Sequence, residues 1–222
     1  MDKLFSVGAH FGYAPSRRHP SQAPFIFGAK GGAEIFNLEQ TASSLENALE
    51  FVKSLAVGGK VILFVGGKPE AREQIKRAAE RIGQPFVASR WIGGTITNFS
   101  EIKKRLALLA ELVEKREKGE LAKFTKLERL LIDREIMELE LMFGGIRDMV
   151  KIPDAVFVVD SKKESGAVEE ARQMKIPVIA ILNSDCDRGA IDYCIPANDA
   201  SAQTISFVLD EVAKVYENNK NL

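Results

Sequence analysis

The segment from Arg90 to Phe99 combines side chains suited to contact with a polyanion. Arg90 offers a charged fork for a phosphate, and Trp91, the only tryptophan in the chain, offers a flat face for stacking on a base. Gly93-Gly94 lets the backbone approach a partner closely. Three further side chains can form hydrogen bonds: Thr95, Thr97 and Asn98. The same composition also fits a tight turn in which the tryptophan packs into the core and Asn98 caps the following helix.

A second group of candidate contacts lies in residues 1–32. Arg17 and Arg18 are interleaved with aromatic residues and with both histidines, His10 and His19, and Lys30 follows. Basic and aromatic residues that alternate in an irregular segment suit single-stranded or irregular RNA. Neither histidine has a nearby Ser, Cys or carboxylate arranged as a nucleophile with its base. We therefore predict that this segment binds RNA and does no catalysis.

An enzymatic alternative depends on the loops that follow the predicted strands. Val65-Gly66-Gly67-Lys68 is similar to a phosphate-binding turn, but it lacks the GxxxxGK[ST] spacing and the hydroxyl that a magnesium ion needs. Four carboxylates cluster in later loops: Asp185, Asp187, Asp192 and Asp199. A metal would need them beside His10, and nothing in their spacing requires this. The alternative is a sugar-phosphate or nucleotide-binding enzyme that uses the crevice at the carboxyl ends of the strands. We predict instead a protein that is not an enzyme, with no catalytic residue, metal or cofactor.

The elements that must position these residues alternate between buried strands and helices. Apolar runs predict strands at 33–37, 61–65, 86–88, 155–159, 178–182 and 193–195. Amphipathic stretches predict helices at 38–57, 69–82, 163–174 and 202–216. The alternation is typical of an α/β fold with a doubly wound, mostly parallel sheet of the Rossmann or flavodoxin-like kind.

Residues 98–143 interrupt this alternation with a different period. Two apolar sets step by four, three and four residues: Ile102, Leu106, Leu109 and Val113, then Ile132, Ile136, Leu139 and Phe143. Lys118-Gly119-Glu120 separates the sets, so the pattern predicts two antiparallel helices packed along a coiled-coil seam. Each helix would be roughly 30 Å long. We expect this hairpin to project from the sheet, to bury little against it and to reach a large partner.

We therefore divide the chain into three parts: an extended N-terminal arm at 1–32, a sheet domain at 33–97 and 144–222, and an inserted helical hairpin at 98–143. The arm is rich in Gly and Pro, and we expect it to be mobile in the free protein and ordered on its partner. No apolar run approaches the roughly 20 residues of a membrane-spanning helix, so we predict a cytoplasmic protein without membrane contact. Cys186 and Cys194 form no CxxC pair, which predicts reduced thiols and no structural zinc.

The formal net charge is zero, but the charges are distributed unevenly along the chain. Residues 1–126 carry 20 Lys and Arg against 13 Asp and Glu, whereas residues 127–222 carry 11 against 18. The basic part could face phosphates while the acidic part faces solvent or a basic protein. Alternatively, the two blocks mix in space once the chain folds.

Seven segments follow one another in a set order: Gly8-Ala9-His10-Phe11-Gly12, Pro24-Phe25-Ile26-Phe27-Gly28, Leu63-Phe64-Val65-Gly66, Arg90 to Phe99, Gly144-Gly145-Ile146, Pro153-Asp154-Ala155 and Ile191-Asp192-Tyr193. In type and order they resemble the bacterial small-subunit ribosomal protein S-two family. The resemblance extends almost from end to end, with the predicted helical hairpin between the fourth and fifth segments.

The resemblance implies a non-enzymatic component of the small ribosomal subunit that acts in translation in the bacterial cytoplasm. It implies contacts with small-subunit ribosomal RNA and with neighbouring ribosomal proteins, including the mRNA-capturing protein S-one, and no small-molecule substrate. With the charge pattern, it leads us to expect phosphate contacts from seven side chains: Arg17, Arg18, Lys30, Arg90, Lys103, Lys104 and Arg105. Trp91 would either stack on RNA or anchor its loop, and Thr95, Thr97 and Asn98 would add hydrogen bonds.

The chain departs from the family pattern in four places. Tyr13 stands where a second histidine usually follows His-Phe-Gly, and Arg18-His19-Pro20-Ser21 replaces the usual Trp-Asn-Pro-Lys. Ala197-Asn198-Asp199 replaces Gly-Asn-Asp, and Gln203 stands where an arginine is usual. We expect the loss of one basic contact in the arm and assign no RNA contact near Gln203.

Overall fold

A computed structural model describes residues 1–220 and contains two sheets. The smaller is an antiparallel pair, β1 (Ile26–Lys30) and β2 (Ala33–Phe36). The larger contains five parallel strands: β3 (Ile62–Val65), β4 (Phe86–Val87), β5 (Ala155–Val159), β6 (Val178–Leu182) and β7 (Tyr193–Pro196). Their order, β4-β3-β5-β6-β7, reverses between β3 and β5. At such a reversal the connections leave toward opposite faces, which opens a crevice at the carboxyl ends of the two strands.

Helices cover both faces of the parallel sheet. Helix α1 (Asp2–Ser6) opens the chain, and α2 (Leu38–Val57), α3 (Pro69–Ile82) and α7 (Ala202–Asn219) pack on one face. Alternate residues of one strand serve the two faces, because side chains in a strand point in opposite directions. Ile62 and Phe64 of β3 belong to the cluster under α2, α3 and α7, whereas Leu63 and Val65 belong to the cluster on the other face. The predicted α/β fold with a doubly wound parallel sheet is confirmed.

The other face is covered by α6 (Ser165–Gln173) and by the base of a helical hairpin, α4 (Phe99–Glu117) and α5 (Lys126–Phe143). The two hairpin helices pack against each other, and Ile102 and Phe143 at their base lie in the same hydrophobic cluster as the strand residues Val65 and Val158. Because α6 alone cannot cover this face, the hairpin base acts as the second covering layer. The expectation that the hairpin buries little against the sheet is therefore wrong for its base.

Local interactions fix the tip of the hairpin, where α5 begins, and its base, where α5 ends. Thr125 starts α5 with a capping box, in which its hydroxyl accepts from the Glu128 amide and the Glu128 carboxylate accepts from the Thr125 amide. At the other end, Gly145 lies so close to the edge strand β4 that any side chain there would overlap the Phe86 carbonyl. This close approach joins the base of the hairpin to the edge of the sheet.

The arm contains only short elements, as its Gly and Pro content predicts, but it is packed onto the sheet domain. Leu4 and Ala9 are buried in the main core, and the Gln22 side chain is fully buried and donates to the Cys186 carbonyl. The His19 amide donates to the Ser184 carbonyl at 2.8 Å. These contacts argue against the mobility that we expected for the arm. The strand β1 was not predicted, because glycine interrupts its apolar pattern.

No helix within residues 1–220 is long and apolar enough to cross a membrane.

Candidate nucleic-acid interface

The loop that leads into α4 is held in shape by the Glu170 carboxylate on α6. Oε1 of Glu170 accepts hydrogen bonds from the Trp91 indole Nε1 at 3.0 Å and from the Gly94 amide at 2.8 Å. Oε2 accepts from the Ile96 amide, the Thr97 amide and the Thr97 hydroxyl at 3.0 to 3.1 Å. Glu170 is only 9% exposed, so the loop donors replace the water that this carboxylate loses on burial.

These donors also set the charge state of Glu170. Burial alone would raise its pKa, but the hydrogen bonds from Thr97, the Trp91 indole and two further amides hold the pKa below its ordinary value. The carboxylate therefore stays ionised near neutral pH without a cation beside it. Gly94, with φ of 88°, gives the left-handed turn that lets nearby amides converge on one carboxylate.

This arrangement changes the roles of several side chains that we predicted to contact RNA. Trp91 is half-buried with its indole engaged, which supports the anchoring role rather than stacking. Thr95 is 2% exposed and its hydroxyl donates to a carbonyl within the loop, which argues against its predicted RNA contact. The Thr97 hydroxyl is bound to Glu170. Asn98 stays exposed at the N-cap of α4, without a side-chain bond to a helix amide.

Arg90 lies at the exposed rim of the loop, and the first turns of α4 add three exposed basic side chains. Within residues 1–220, no ion pair or side-chain hydrogen bond engages Arg90, Lys103 or Arg105. Lys104 is paired at 2.7 Å with a glutamate one turn away, a contact that solvent weakens. Lys104 and Arg105 line a groove of about 490 Å³ together with part of the loop. We call Arg90, Lys103, Lys104 and Arg105 the loop–hairpin surface.

Arg17 and Arg18 open onto a different groove, of about 640 Å³, beside α6. Two cations that the sequence analysis did not single out, Lys162 and Arg172, line the same groove. We call these four residues the arm surface. Lys162 and Arg172 were missed because they lie more than a hundred residues downstream of the arm, and only the topology brings them together. Lys30 stands apart, exposed at the turn between β1 and β2.

Buried carboxylates hold the two arginines of the arm surface in place. Arg17 donates to Asp185 Oδ2 at 3.0 Å, and Lys162 binds the same oxygen at 3.1 Å. Arg18 lies 3.2 Å from Glu34, which is only 1% exposed. The side chains of Arg17 and Arg18 are nevertheless 54% and 42% exposed. Each guanidinium therefore keeps free donors in a fixed orientation toward the groove.

The crevice at the carboxyl ends of the strands is filled by the protein's own side chains. The Lys68 ammonium, which follows β3, lies 2.8 Å from Asp160 and 2.9 Å from Asp199. The Tyr13 hydroxyl of the arm approaches the same ammonium at 3.4 Å, and Asn183 donates to Asp199 at 2.8 Å. A phosphate would meet two carboxylates here, so the geometry does not favour the sugar-phosphate or nucleotide alternative.

Charge and burial compete in this crevice. Burial alone would lower the pKa of Lys68, but its two carboxylate partners raise it above its ordinary value. Burial alone would raise the pKa of Asp160, but Lys68 holds it below the ordinary value. Burial raises the pKa of Asp199 despite the same cation. The Cys186 thiol close by has its pKa raised to about 12 by burial and by Asp160, so it stays protonated.

The metal alternative fails on geometry. Within residues 1–220, the potential ligand atoms of Asp160, Cys186 and Asp199 converge within 4.8 Å, and the Lys68 ammonium already pairs with both carboxylates. His10 lies elsewhere, stacked on Phe5 with the ring centroids 4.6 Å apart. The folded chain therefore does not bring His10 to the aspartates.

The basic and acidic parts of the sequence are mixed in the folded chain. Five side chains before residue 126 pair with carboxylates after it: Arg17, Lys60, Lys68, Arg77 and Arg81. These five pairs offset much of the +7 excess of the first part. Arg90, Lys103 and Arg105 of the loop–hairpin surface remain exposed and make no ion pair within residues 1–220.

Fold and site together define a doubly wound domain whose strand-end crevice is filled by its own side chains, and which exposes basic side chains on a loop, an arm and a helical hairpin. Comparison with known sequences gives its family. The family model described as "Ribosomal protein S2" matches residues 4–219, so the chain belongs to the ribosomal protein S2 family.

Individual relatives agree with the family assignment. The small ribosomal subunit protein uS2 of Roseiflexus sp. (strain RS-1) is 42% identical over 213 residues, which cover 96% of this chain and 81% of the relative. The protein of the same name from Nocardia farcinica is 45% identical over 213 residues, covering 96% and 75%. That from Chloroflexus aurantiacus is 40% identical over 211 residues, covering 95% and 89%. The chain is thus a ribosomal protein of the bacterial small subunit, located in the cytoplasmic ribosome, and not an enzyme, as the sequence predicted.

Proposed function

We propose that this chain binds small-subunit ribosomal RNA through the loop–hairpin surface, with the arm surface as a second contact. The observation that carries the proposal is the state of Arg90, which is exposed at the rim of a rigid loop and has no acidic partner within residues 1–220. A phosphate close to Arg90 replaces only water, so its binding costs no broken ion pair. The five hydrogen bonds to Glu170 fix the backbone beside Arg90 before RNA arrives.

The first turns of α4 extend this contact. Lys103 and Arg105 are exposed and unpaired within the described residues, and they lie where the hairpin leaves the sheet domain. Three consecutive residues of a helix point to more than one of its sides. The basic side chains of Lys103, Lys104 and Arg105 therefore suit a curved RNA backbone better than a flat surface. We expect the whole group to contribute mainly to affinity, because phosphate contacts carry little sequence information.

The arm surface is the weaker contact. Arg17, Arg18 and Lys162 are partly neutralised by Asp185 and Glu34, so fewer counterions are released when a phosphate binds there. The arm surface contributes mainly by orienting Arg17 and Arg18, since buried carboxylates hold both guanidinium groups. Lys30 would add an isolated contact at the β1–β2 turn.

Neighbouring small-subunit proteins, including protein S-one, complete the set of proposed partners. The contact with S-one rests on the family resemblance alone. It predicts that small subunits depleted of this chain also lose S-one, which gel analysis of gradient-purified subunits measures directly.

The test of RNA binding compares two double variants of equal charge. Arg90→Ala with Arg105→Ala removes two cations of the loop–hairpin surface, whereas Lys53→Ala with Lys76→Ala removes two exposed cations from α2 and α3. Filter binding to a small-subunit RNA transcript, and sedimentation with small subunits in magnesium buffer, should show a marked loss for the first variant alone. Equal binding by the two variants would overturn the proposal.

A further inference from the structure

Helix α5 carries a second apolar seam that faces solvent. Leu127, Leu130, Arg134, Met137 and Leu141 are spaced by three, four, three and four residues, the a and d spacing of a coiled coil. The four apolar members are 66%, 47%, 60% and 72% exposed. The internal seam of the hairpin uses other residues of the same helix, among them Ile136 and Leu139. At 100° per residue the two seams lie on nearly opposite sides of α5.

This second seam is unusual for a surface helix. A solvent-facing helix side normally carries charged and polar residues, and single exposed apolar residues need no explanation. Here four of five positions in a heptad register are apolar, and Leu131, 54% exposed, widens the stripe. Apolar side chains with this spacing can insert between the side chains of a second helix, as they do in a coiled coil.

The stripe continues into a groove at the base of the hairpin. Leu141, its last member, lines a groove of about 910 Å³ together with Val150 and the edge-strand residue Phe86. Val150 is 78% exposed, so the apolar surface does not end with α5. A helix lying along the seam would therefore direct its end, or the chain beyond it, into this groove.

Charges beside the seam indicate what kind of helix fits. Asp133 and Glu138 flank it on its two sides and make no ion pair within residues 1–220, Lys126 lies beside its first turn, and Arg134 stands within the seam itself. RNA is unsuited to this side, because the flanking carboxylates repel phosphates. A second copy of the chain is also unsuited, since two-fold pairing centred on the seam brings Arg134 against Arg134 and sets acidic flanks against acidic flanks.

We propose that this side of α5 docks an amphipathic helix of another protein, with apolar residues at the a and d positions, Lys or Arg along its flanks and one carboxylate opposite Arg134. The seam spans roughly 21 Å, so the contact requires about four turns of the partner helix. The proposal is independent of RNA binding, which uses α4 and the loop on the other helix of the hairpin. The hairpin thus presents a basic helix to RNA and an apolar, acid-flanked helix to protein.

The test uses a labelled 21-residue helical peptide of this design, with leucines at a and d, lysines at the flanks and a glutamate opposite Arg134. Fluorescence anisotropy with the intact protein should show binding that weakens at least tenfold for Met137→Lys. Val57→Lys, at an apolar residue of similar exposure on α2, is the matched control and should bind as the parent does. Arg134→Glu should weaken binding, and a peptide with lysine in place of its glutamate should restore it. Equal binding by parent and Met137→Lys, or no rescue by the charge exchange, would overturn the proposal.

Two measurements on the protein without peptide test whether a second copy of the chain or RNA binds the seam instead. Sedimentation equilibrium should show a monomer; a dimer that Met137→Lys dissociates would assign the seam to a second copy and overturn the proposal. Filter binding to the RNA transcript should be unchanged by Met137→Lys, and a loss there would assign the seam to RNA instead. If the Arg90 variants bind RNA as well as the parent does, the RNA proposal fails, but none of these outcomes for the seam changes, so the two proposals fail separately.

Discussion

The Trp91 indole Nε1 donates to Glu170 Oε1 at 3.0 Å, and through this bond α6 controls the shape of a loop more than seventy residues earlier in the chain. One buried carboxylate accepts five hydrogen bonds from the loop, and the left-handed turn at Gly94 lets the backbone amides converge on it. Trp91 thus helps to position Arg90, because its bond to Glu170 holds the loop in which Arg90 lies. RNA binding by this loop and stability of the sheet domain are therefore separable by mutation.

We expect Glu170→Gln to lower the free energy of unfolding by about 3 kcal/mol, because the amide group accepts fewer of the donors and leaves buried N–H groups without partners. Glu169→Gln, an exposed neighbour, should change it by less than about 0.5 kcal/mol. Urea denaturation at pH 7 measures both. With Trp91→Phe, which removes only one donor, the effects should be non-additive in a double-mutant cycle. Strict additivity would show that the indole bond contributes nothing.

The stabilisation by Glu170 should depend on pH in a defined direction. Its folded pKa lies below the ordinary value of 4.5, so the contribution is fully present above that value and is lost as pH falls through the folded pKa. The difference in stability between the parent and Glu170→Gln should therefore shrink below pH 4.5. A difference that stays constant down to the lowest pH at which both proteins fold would contradict the ionised state assigned to Glu170.

Arg90→Ala should leave the melting temperature nearly unchanged, because the guanidinium is solvated in the free protein. It should weaken binding to small-subunit RNA and reduce the salt dependence by about one phosphate contact. Lys53→Ala is the control for the loss of one positive charge. An Arg90→Ala protein that binds with the parent's affinity at every salt concentration would remove the loop from the RNA interface.

The sequence predicted most of the sheet domain because its elements carry local signals. Pro69 opens α3, apolar runs mark β5 and β6, and the predicted helices at 38–57 and 69–82 match α2 and α3. The candidate site was predictable only in part. Arg90 and α4 are contiguous in sequence, whereas Glu170 carries no local sign that it will accept hydrogen bonds from a distant loop. The same is true of Lys68, whose carboxylate partners come from separate strand ends.

The arm should be protected from hydrogen exchange in the isolated protein. The Gly12 amide donates to the Glu34 carbonyl at 2.8 Å and the His19 amide to the Ser184 carbonyl at 2.8 Å, and buried Gln22 fixes the chain beyond them. Amides from residue 12 to residue 22 that form such bonds should exchange more slowly than those at the exposed Gly31-Gly32 turn. Exchange at unprotected rates across the whole arm would restore the expectation that RNA orders it.

Lys68→Met should lower stability by about 3–5 kcal/mol at pH 7, because it leaves two buried carboxylates without their cation. It should also change the pH dependence of stability. In the parent, the lowered pKa of Asp160 gives stability that is lost as pH falls through the folded pKa, whereas the raised pKa of Asp199 acts in the opposite direction. In the variant, burial without the cation should raise the pKa of both carboxylates, so the folded state takes up protons and stability should rise more steeply as pH falls from 7 toward 5. Parallel pH profiles for parent and variant would show that the cluster is solvated.

The hairpin should divide into a base that the sheet domain needs and a distal part that it does not need. Ile102, Leu106 and Phe143 share the hydrophobic cluster of the strands, whereas Val113 and Ile132 are only partly buried where they pack against it. Replacing 113–132 by a short Gly-Ser link should leave cooperative unfolding intact. Replacing 101–142 should abolish it, because one face of the parallel sheet would lose its covering layer.

Circular dichroism during urea denaturation of the two deletions measures this division. The shorter deletion also removes Leu127, Leu130 and Leu131 from the solvent-facing seam while it retains Arg90, Lys103 and Arg105. It should therefore bind small-subunit RNA normally and fail to bind the helical peptide. Cooperative unfolding of the longer deletion would show instead that the hairpin is an independent insertion, because the sheet would then need nothing from its base.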